Sequence, residues 1–243
     1  MKSLSFKILI LLIFSSSYSS ELFAQVQVSK FGFSLSHWNR TYGEVDERFF
    51  FINAPSEQGG FTSAALMPAV FAEVNLHKGL ALEGRLGVWS YTYTGSSTFA
   101  NGLVVEESIQ QRIIPASLSL IYNISINEKL SAFAGLGVNR YFLQHTADRN
   151  VTTGEGNIAP VEFTGNNYGM NVKLGLEYYF TDNIGLGLEG RYNTGSYNKS
   201  YTPDFGGPSV TRNIELSGLE FGVSLRYRLF KMTKITDDTE SKD

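Results

Sequence analysis

Apolar and polar residues alternate along most of this chain, in stretches of about ten residues that each end in turn chemistry, as half-buried strands do. Phe31, Phe33 and Leu35 alternate with Gly32, Ser34 and Ser36, and Leu66, Val70 and Val74 with Met67, Ala69, Phe71 and Glu73. Leu80, Leu82 and Leu86 alternate with Ala81, Glu83, Arg85 and Trp89, and Ile114 to Tyr122 follows the same rule against Ser117 and Ser119. Leu130 to Val138, Met170 to Tyr178, Ile184 to Leu188 and Leu219 to Leu229 continue it. That predicts eight strands, each near the ~9–11 residues that a tilted strand needs to cross a bilayer.

The connections alternate too. His77 to Gly79, Asn123 to Lys129 and Thr181 to Asn183 are short. Asn39 to Thr62, Gly95 to Ser108, Gln144 to Asn167 and Gly195 to Arg212 are long and polar. Strands joined in this order run up and down, with one smooth end and one elaborate end. A membrane barrel has that layout, with short turns on the periplasmic side and long external loops, and it places both termini with the short turns. A ten-stranded barrel is the alternative, should Arg48 to Asn53 or Val161 to Gly165 continue a strand across the membrane.

Charge decides which face meets lipid. Glu73, Glu83, Glu177, Glu189 and Glu220, with Arg85, Lys173, Arg191, Arg226 and Arg228, all take the parity opposite the Leu/Val/Ile face. A lipid face penalises a central charge by ~2–4 kcal/mol, so these ten residues are expected inside, as a balanced lumen network. In register, Glu83 and Arg85 should meet Glu189, Arg191, Glu220 and Arg226. Aromatic residues collect at two levels, where amphipathic rings prefer the headgroups. Trp38, Trp89, Tyr91, Tyr93, Tyr141, Phe142, Tyr168 and Tyr192 are expected in an outer girdle; Tyr122, Tyr178, Phe180, Tyr227 and Phe230 in an inner one.

Composition changes the picture at few points. The 243 residues contain no cysteine, so disulfides, thiol nucleophiles and Cys-based zinc sites are excluded, and the net charge of −3 leaves no basic footprint for nucleic acid. A mean hydropathy of −0.09 fits a membrane protein whose apolar residues alternate rather than cluster. Lys2 and Lys7, the apolar run Ile8 to Phe14 and the small residues Ser15 to Ser20 read as a secretory signal covering residues 1–24. Residues 25–230 are then the barrel, and the polar stretch 231–243 a periplasmic tail.

Three segments carry a resemblance: Gly135 to Val138, Thr181 to Leu186 and the closing strand Gly222 to Phe230. With them the chain resembles the eight-stranded outer-membrane β-barrel domains of the OmpA/OmpX type. The resemblance implies an all-β, antiparallel up-and-down barrel in the outer membrane of a Gram-negative cell. It also implies that Tyr227 and Phe230 belong to an insertion signal read by the barrel-insertion machinery. Pro68 and Pro115 depart from the pattern, since each removes a ladder donor from a closed sheet, and bulges are expected there.

Other chemistry falls away. Gly185 to Gly190 matches a dinucleotide-binding fingerprint, but no helical period follows, and the glycines are better explained as room inside a narrow barrel. His37, His77 and His145 share no metal-binding spacing. His37 reaches the outer rim facing lipid, without a serine and an acid tied to it by spacing, so a rim-located lipid-modifying enzyme is a lesser reading. The asparagine sequons, Asn123-Ile-Ser among them, are chance matches. The expectation is a non-enzymatic barrel without cofactor, its lumen plugged, its partners membrane lipid, the insertion machinery and a surface ligand of the loops; a small porin is the main rival. Tyr42, Arg48, Arg149, Tyr197, Lys199 and Tyr201 are exposed loop candidates, and Phe49, Phe50 and Phe51 form the sharpest apolar patch.

Overall fold

The computed structural model describes residues 27–40, 56–57, 64–98, 102, 104–151, 158–201 and 210–229. The signal segment, the tail, Phe230, Tyr42, Arg48 and Phe49 to Phe51 lie outside these residues. The described strands are β1 (Gln27–Arg40), β2 (Ser56–Glu57), β3 (Ala64–His77), β4 (Leu80–Gly87), β5 (Trp89–Thr98) and β6 (Val104–Ser125). They continue with β7 (Leu130–Val151), β8 (Ile158–Tyr179), β9 (Ile184–Asn193), β10 (Ser196–Tyr201), β11 (Val210–Glu215) and β12 (Gly218–Arg228).

All pairings are antiparallel, and they close on themselves. β4 and β5 form one stave, as do β9 with β10 and β11 with β12, so eight staves run round the ring. β6 pairs β7, β7 pairs β8, β8 pairs β9 and β9 pairs β12. β12 meets β1 with Phe33 opposite Leu225, which closes the ring at the membrane level among the described residues, while β10 and β11 form a two-stranded sheet of their own above it. Val161 to Gly165 lengthens β8 and adds no ninth stave, which removes one of the two routes to ten strands.

The short turns follow local chemistry. Lys78 and Gly79 both have positive φ, 38° and 84°, the two-residue turn whose twist matches a hairpin. Asn127 Oδ1 accepts from the amides of Lys129 and Leu130, and Thr181 Oγ1 from those of Asn183 and Ile184.

The long connections are different from loops. β6, β7 and β8 each run 22 residues, far past the length needed to cross a bilayer, so much of Gln144 to Asn167 is barrel wall. The expected loop residue Asn123 likewise belongs to β6, with its side chain buried in the lumen.

The apolar belt is continuous on the outside. On β8, Tyr168, Met170, Val172, Leu174, Leu176 and Tyr178 all point outward, with Leu174 66% exposed. Ten residue steps at ~3.3 Å, tilted by ~40°, rise about 25 Å, the height of a membrane band. Above Tyr168 the outward residues become Asn166, Thr164 and Glu162, while the interior turns apolar. The barrel is therefore apolar-out below this level and apolar-in above it.

Pro68 and Pro115 sit without a bulge in their own strands: Pro68 pairs with Leu35 and Pro115 with Tyr141 in unbroken register. The irregularity falls on the stave between them. β4 ends at Gly87 and β5 starts at Trp89, and the amide of Val88 donates to the Pro68 carbonyl at 3.0 Å. With a proline on each flanking strand at this level, the middle stave breaks where its neighbours lack donors.

Candidate functional site

Buried side chains line the barrel lumen among the described residues, and in its lower part they are ionic. Inward parity of β1, β3, β4, β8, β9 and β12 brings Lys30, Glu73, Glu83, Arg85, Lys173, Glu177, Glu189, Arg191, Glu220 and Arg226 into one buried column. Near the short turns, Lys30 Nζ lies 3.0 Å from Glu177 Oε1 and 3.2 Å from Glu73 Oε1. Asn123 accepts from Lys30 and donates to Glu73. Arg226 bridges Glu177 at 2.5 Å and Glu189 at 3.1 Å, and its guanidinium lies between the Phe71 and Phe133 rings.

The ladder then climbs. Glu83 pairs with Lys173 at 2.5 Å and with Arg191 at 3.5 Å, and Arg191 also faces Glu189 and Glu220. Arg85 closes it on Glu220 at 2.5 Å. Arg228 stands apart, donating to the Asp182 carbonyl and lying 4.0 Å from the Tyr179 ring centroid. Glycine makes the column possible: a Cβ at Gly187 would meet the Arg226 guanidinium, and one at Gly175 the Phe133 ring. Ion pairing offsets the cost of burying these charges, although Lys173 Nζ, Arg191 Nη1 and Glu189 Oε1 make no hydrogen bond among the described residues.

Above the ladder an amide layer intervenes. Asn139 donates to Asn193 and to the Tyr141 hydroxyl and accepts from Asn171. An apolar plug follows, made of Trp38, Met67, Trp89, Ile113, Tyr141, Leu143, Ile214 and Leu216. Trp38 stacks on Tyr141 with centroids 6.0 Å apart and meets Trp89 edge-on at 6.3 Å. Arg40 covers the plug, 4.3 Å from the Trp89 ring, with its guanidinium donating to Gln111 and the Glu215 carbonyl.

A family model for the outer membrane protein beta-barrel domain matches residues 8–229. The chain belongs to that family. No curated protein sequence matches this outer-membrane barrel. Among solved structures it is similar to Neisserial surface protein A (14% identity, 82% of this chain, 97% of that one, TM-score 0.45). It is also similar to the N-terminal β-barrel domain of Pseudomonas aeruginosa OprF (12%, 84%, 100%, 0.40) and to Escherichia coli outer membrane protein W (12%, 84%, 99%, 0.41).

Three corrections concern side-chain placement in this outer-membrane barrel. Trp38, Trp89 and Tyr141 are not in the girdle: they share the parity of the lumen residues and plug it, with Tyr91 half-buried against them. Phe142, Tyr168 and Tyr192 do face outward at the upper level, as Tyr122, Tyr178, Phe180 and Tyr227 do at the lower; the Tyr93 side chain lies outside the described residues. The lumen is also not five acids against five bases. Lys30 adds a sixth cation, readable from its parity with Gly32 and Ser34, and Arg40 adds another above the plug. Finally, Gly190 of the glycine-rich run faces outward, next to Phe221, while Gly185 and Gly187 face the lumen.

The histidines are dispersed: His37 faces outward on β1, His77 ends β3 at a short turn, and His145 is buried inside β7. Among the described residues no cluster of three metal-ligating side chains occurs. His145 lies above the apolar belt, outside the membrane-spanning part. Burial first, and the Arg40 charge second, hold its imidazole down at about 3, against an ordinary 6.5. Between those values the unfolded chain binds a proton that the folded barrel refuses, so this part of the stability is fully present above pH ~6.5 and fades as pH falls. Lowering the pH from ~7.5 to ~4.5 should cost about 2–3 kcal/mol through this residue. Urea unfolding of His145→Gln at the two pH values should show a correspondingly smaller difference.

Proposed function

We propose that this outer-membrane barrel is a closed, non-enzymatic scaffold that passes no steady ion current and presents its long hairpins at the cell surface. The observation that carries the reading is the double seal in one lumen, an ion-paired column below and a packed aromatic plug above. An eight-stranded barrel is only wide enough for its own side chains to fill, and two layers of buried lumen side chains support that reading here. Purified protein in planar bilayers should give no discrete, long-lived single-channel steps. Such steps would overturn the reading and make the protein a small channel.

In the same reading both termini are periplasmic, the closing strand that includes Tyr227 engages the insertion machinery, and the hairpin tips meet a surface ligand. The cysteine-free sequence makes the orientation simple to test. A thiol placed by Thr92→Cys, on the outer wall of β5, should react with an impermeant maleimide in intact cells. One placed by Lys129→Cys, in a short turn, should react only after the outer membrane is permeabilised. The opposite pattern would invert the barrel.

A further inference from the structure

We propose that the outer wall of β6 and β7 binds a phosphorylated disaccharide lipid of the outer leaflet, held between Arg112 and Arg140. The proposal rests on the orientation above, which puts the long hairpins outside. Among the described residues, Arg112 and Arg140 are the arginines or lysines whose side chains face outward at the long-hairpin end. Both lie on this one face.

Arg140 sits at the top of the apolar belt, with Ala116 opposite on β6 and Tyr168 opposite on β8. Its guanidinium lies 4.1 Å from the Tyr168 ring centroid and 5.9 Å from that of Phe142, and it donates to Asn166 Oδ1. A guanidinium stacked against the wall at headgroup depth is already oriented for a planar, bidentate grip on phosphate. Four residues further up β6, Arg112 is exposed and has no ion-pair partner among the described residues. It lines a shallow polar pocket of about 350 Å³ with Val88, Ser90, Gln110, Gln144 and Thr146.

The two arginines are separated by ~13 Å of strand, which suits a disaccharide carrying a phosphate at each end. Between them the outward pair Ile114 and Phe142 offers an apolar face for the flat side of a sugar ring. Ser90 and Gln144 on the Arg112 rung, with Gln110 and Thr146 one rung above, supply hydroxyl and amide groups at the upper end. Below Arg140, Leu118, Leu120, Leu136, Val138 and Met170 offer the exposed wall along which acyl chains would run. The outward acids Glu162 and Asp148 begin only on rungs above Arg112, clear of the space between the arginines. Basic pockets at headgroup level are the general way membrane proteins hold anionic lipids.

The test uses full-length barrel in phosphatidylcholine nanodiscs, with bis-phosphorylated lipid A as probe and bound lipid counted by native mass spectrometry. Wild type should retain the lipid at least fivefold better than Arg112→Gln/Arg140→Gln, while the variant keeps its heat-modifiable gel mobility. Should the double variant fail to fold, Arg112→Gln alone, whose side chain is exposed, should still weaken retention at least twofold. Equal retention by wild type and variant overturns the proposal. So does equal retention of phosphate-free lipid A or of phosphatidylglycerol, which would reduce the site to apolar or generic anionic attraction. Displacement by glucosamine 1-phosphate at equal concentration would mark a soluble sugar phosphate as the ligand and overturn the lipid assignment. Nanodisc binding is independent of how the barrel faces in the cell, so the maleimide pattern and this measurement fail separately.

Discussion

Replacing Arg226 by alanine should lower the unfolding free energy of the barrel by about 3–5 kcal/mol, the loss expected when one member of a buried ionic network is removed. Arg226 is 1% exposed and holds two carboxylates at once, Glu177 at 2.5 Å and Glu189 at 3.1 Å, while its Nε donates to Ser224. Truncation strands part of both buried carboxylates. Lys30 still compensates Glu177, and Arg191 still faces Glu189, so the network should weaken without collapsing. The check is urea unfolding in detergent micelles followed by heat-modifiable mobility. Lys129→Ala, in an exposed turn, should stay within about 0.5 kcal/mol of wild type. Equal effects would mean that water reaches the column and screens it.

Trp38→Ala should cost a similar ~3–5 kcal/mol by a different mechanism, cavity formation. Trp38 is fully buried and touches the two other large rings of the plug, Tyr141 by stacking and Trp89 by its edge. Its own strand is laddered on both sides, with Trp38 opposite Glu220 on β12 and Ala65 on β3, so the wall behind it has little freedom to collapse into the void. The ion-paired column below is untouched, and the variant should remain electrically silent. Since the chain has only two tryptophans, both in the plug, fluorescence of the remaining Trp89 reports the change directly. A red shift with silent bilayers is the expected pair of results. Open channels in Trp38→Ala would show that the plug alone makes the seal.

Alternation in the sequence was enough to determine the barrel class and the parity of its charged residues, because a strand has period two and the middle of a lipid face penalises charge; it left eight and ten strands both open. The ten charged positions named from parity are all buried, and Glu83, Arg85, Arg191 and Glu220 lie in one ladder. Parity alone also contained what was misplaced. Trp38 continues Ser34 and Ser36, and Trp89 continues Glu83 and Arg85, so both had to point inward; the expectation that aromatic rings sit at headgroup depth had set that parity aside.

Other features needed the folded ring. Polar residues from Gln144 to Asn167 read as loop because strand signals assume a lipid or core face outside. Above the membrane that face is water, so the pattern inverts: polar out, with Leu143 and His145 in. Likewise Pro68 and Pro115 lie 47 positions apart in the sequence, and only closure places them on either side of Val88. The same holds for Arg112 and Arg140, which share a surface because β6 and β7 pair in one register. Period-two patterning is a local property that sets which face each residue takes. Which residues meet across the lumen or along the wall depends on register and closure, and those are fixed only when all eight staves are hydrogen-bonded at once.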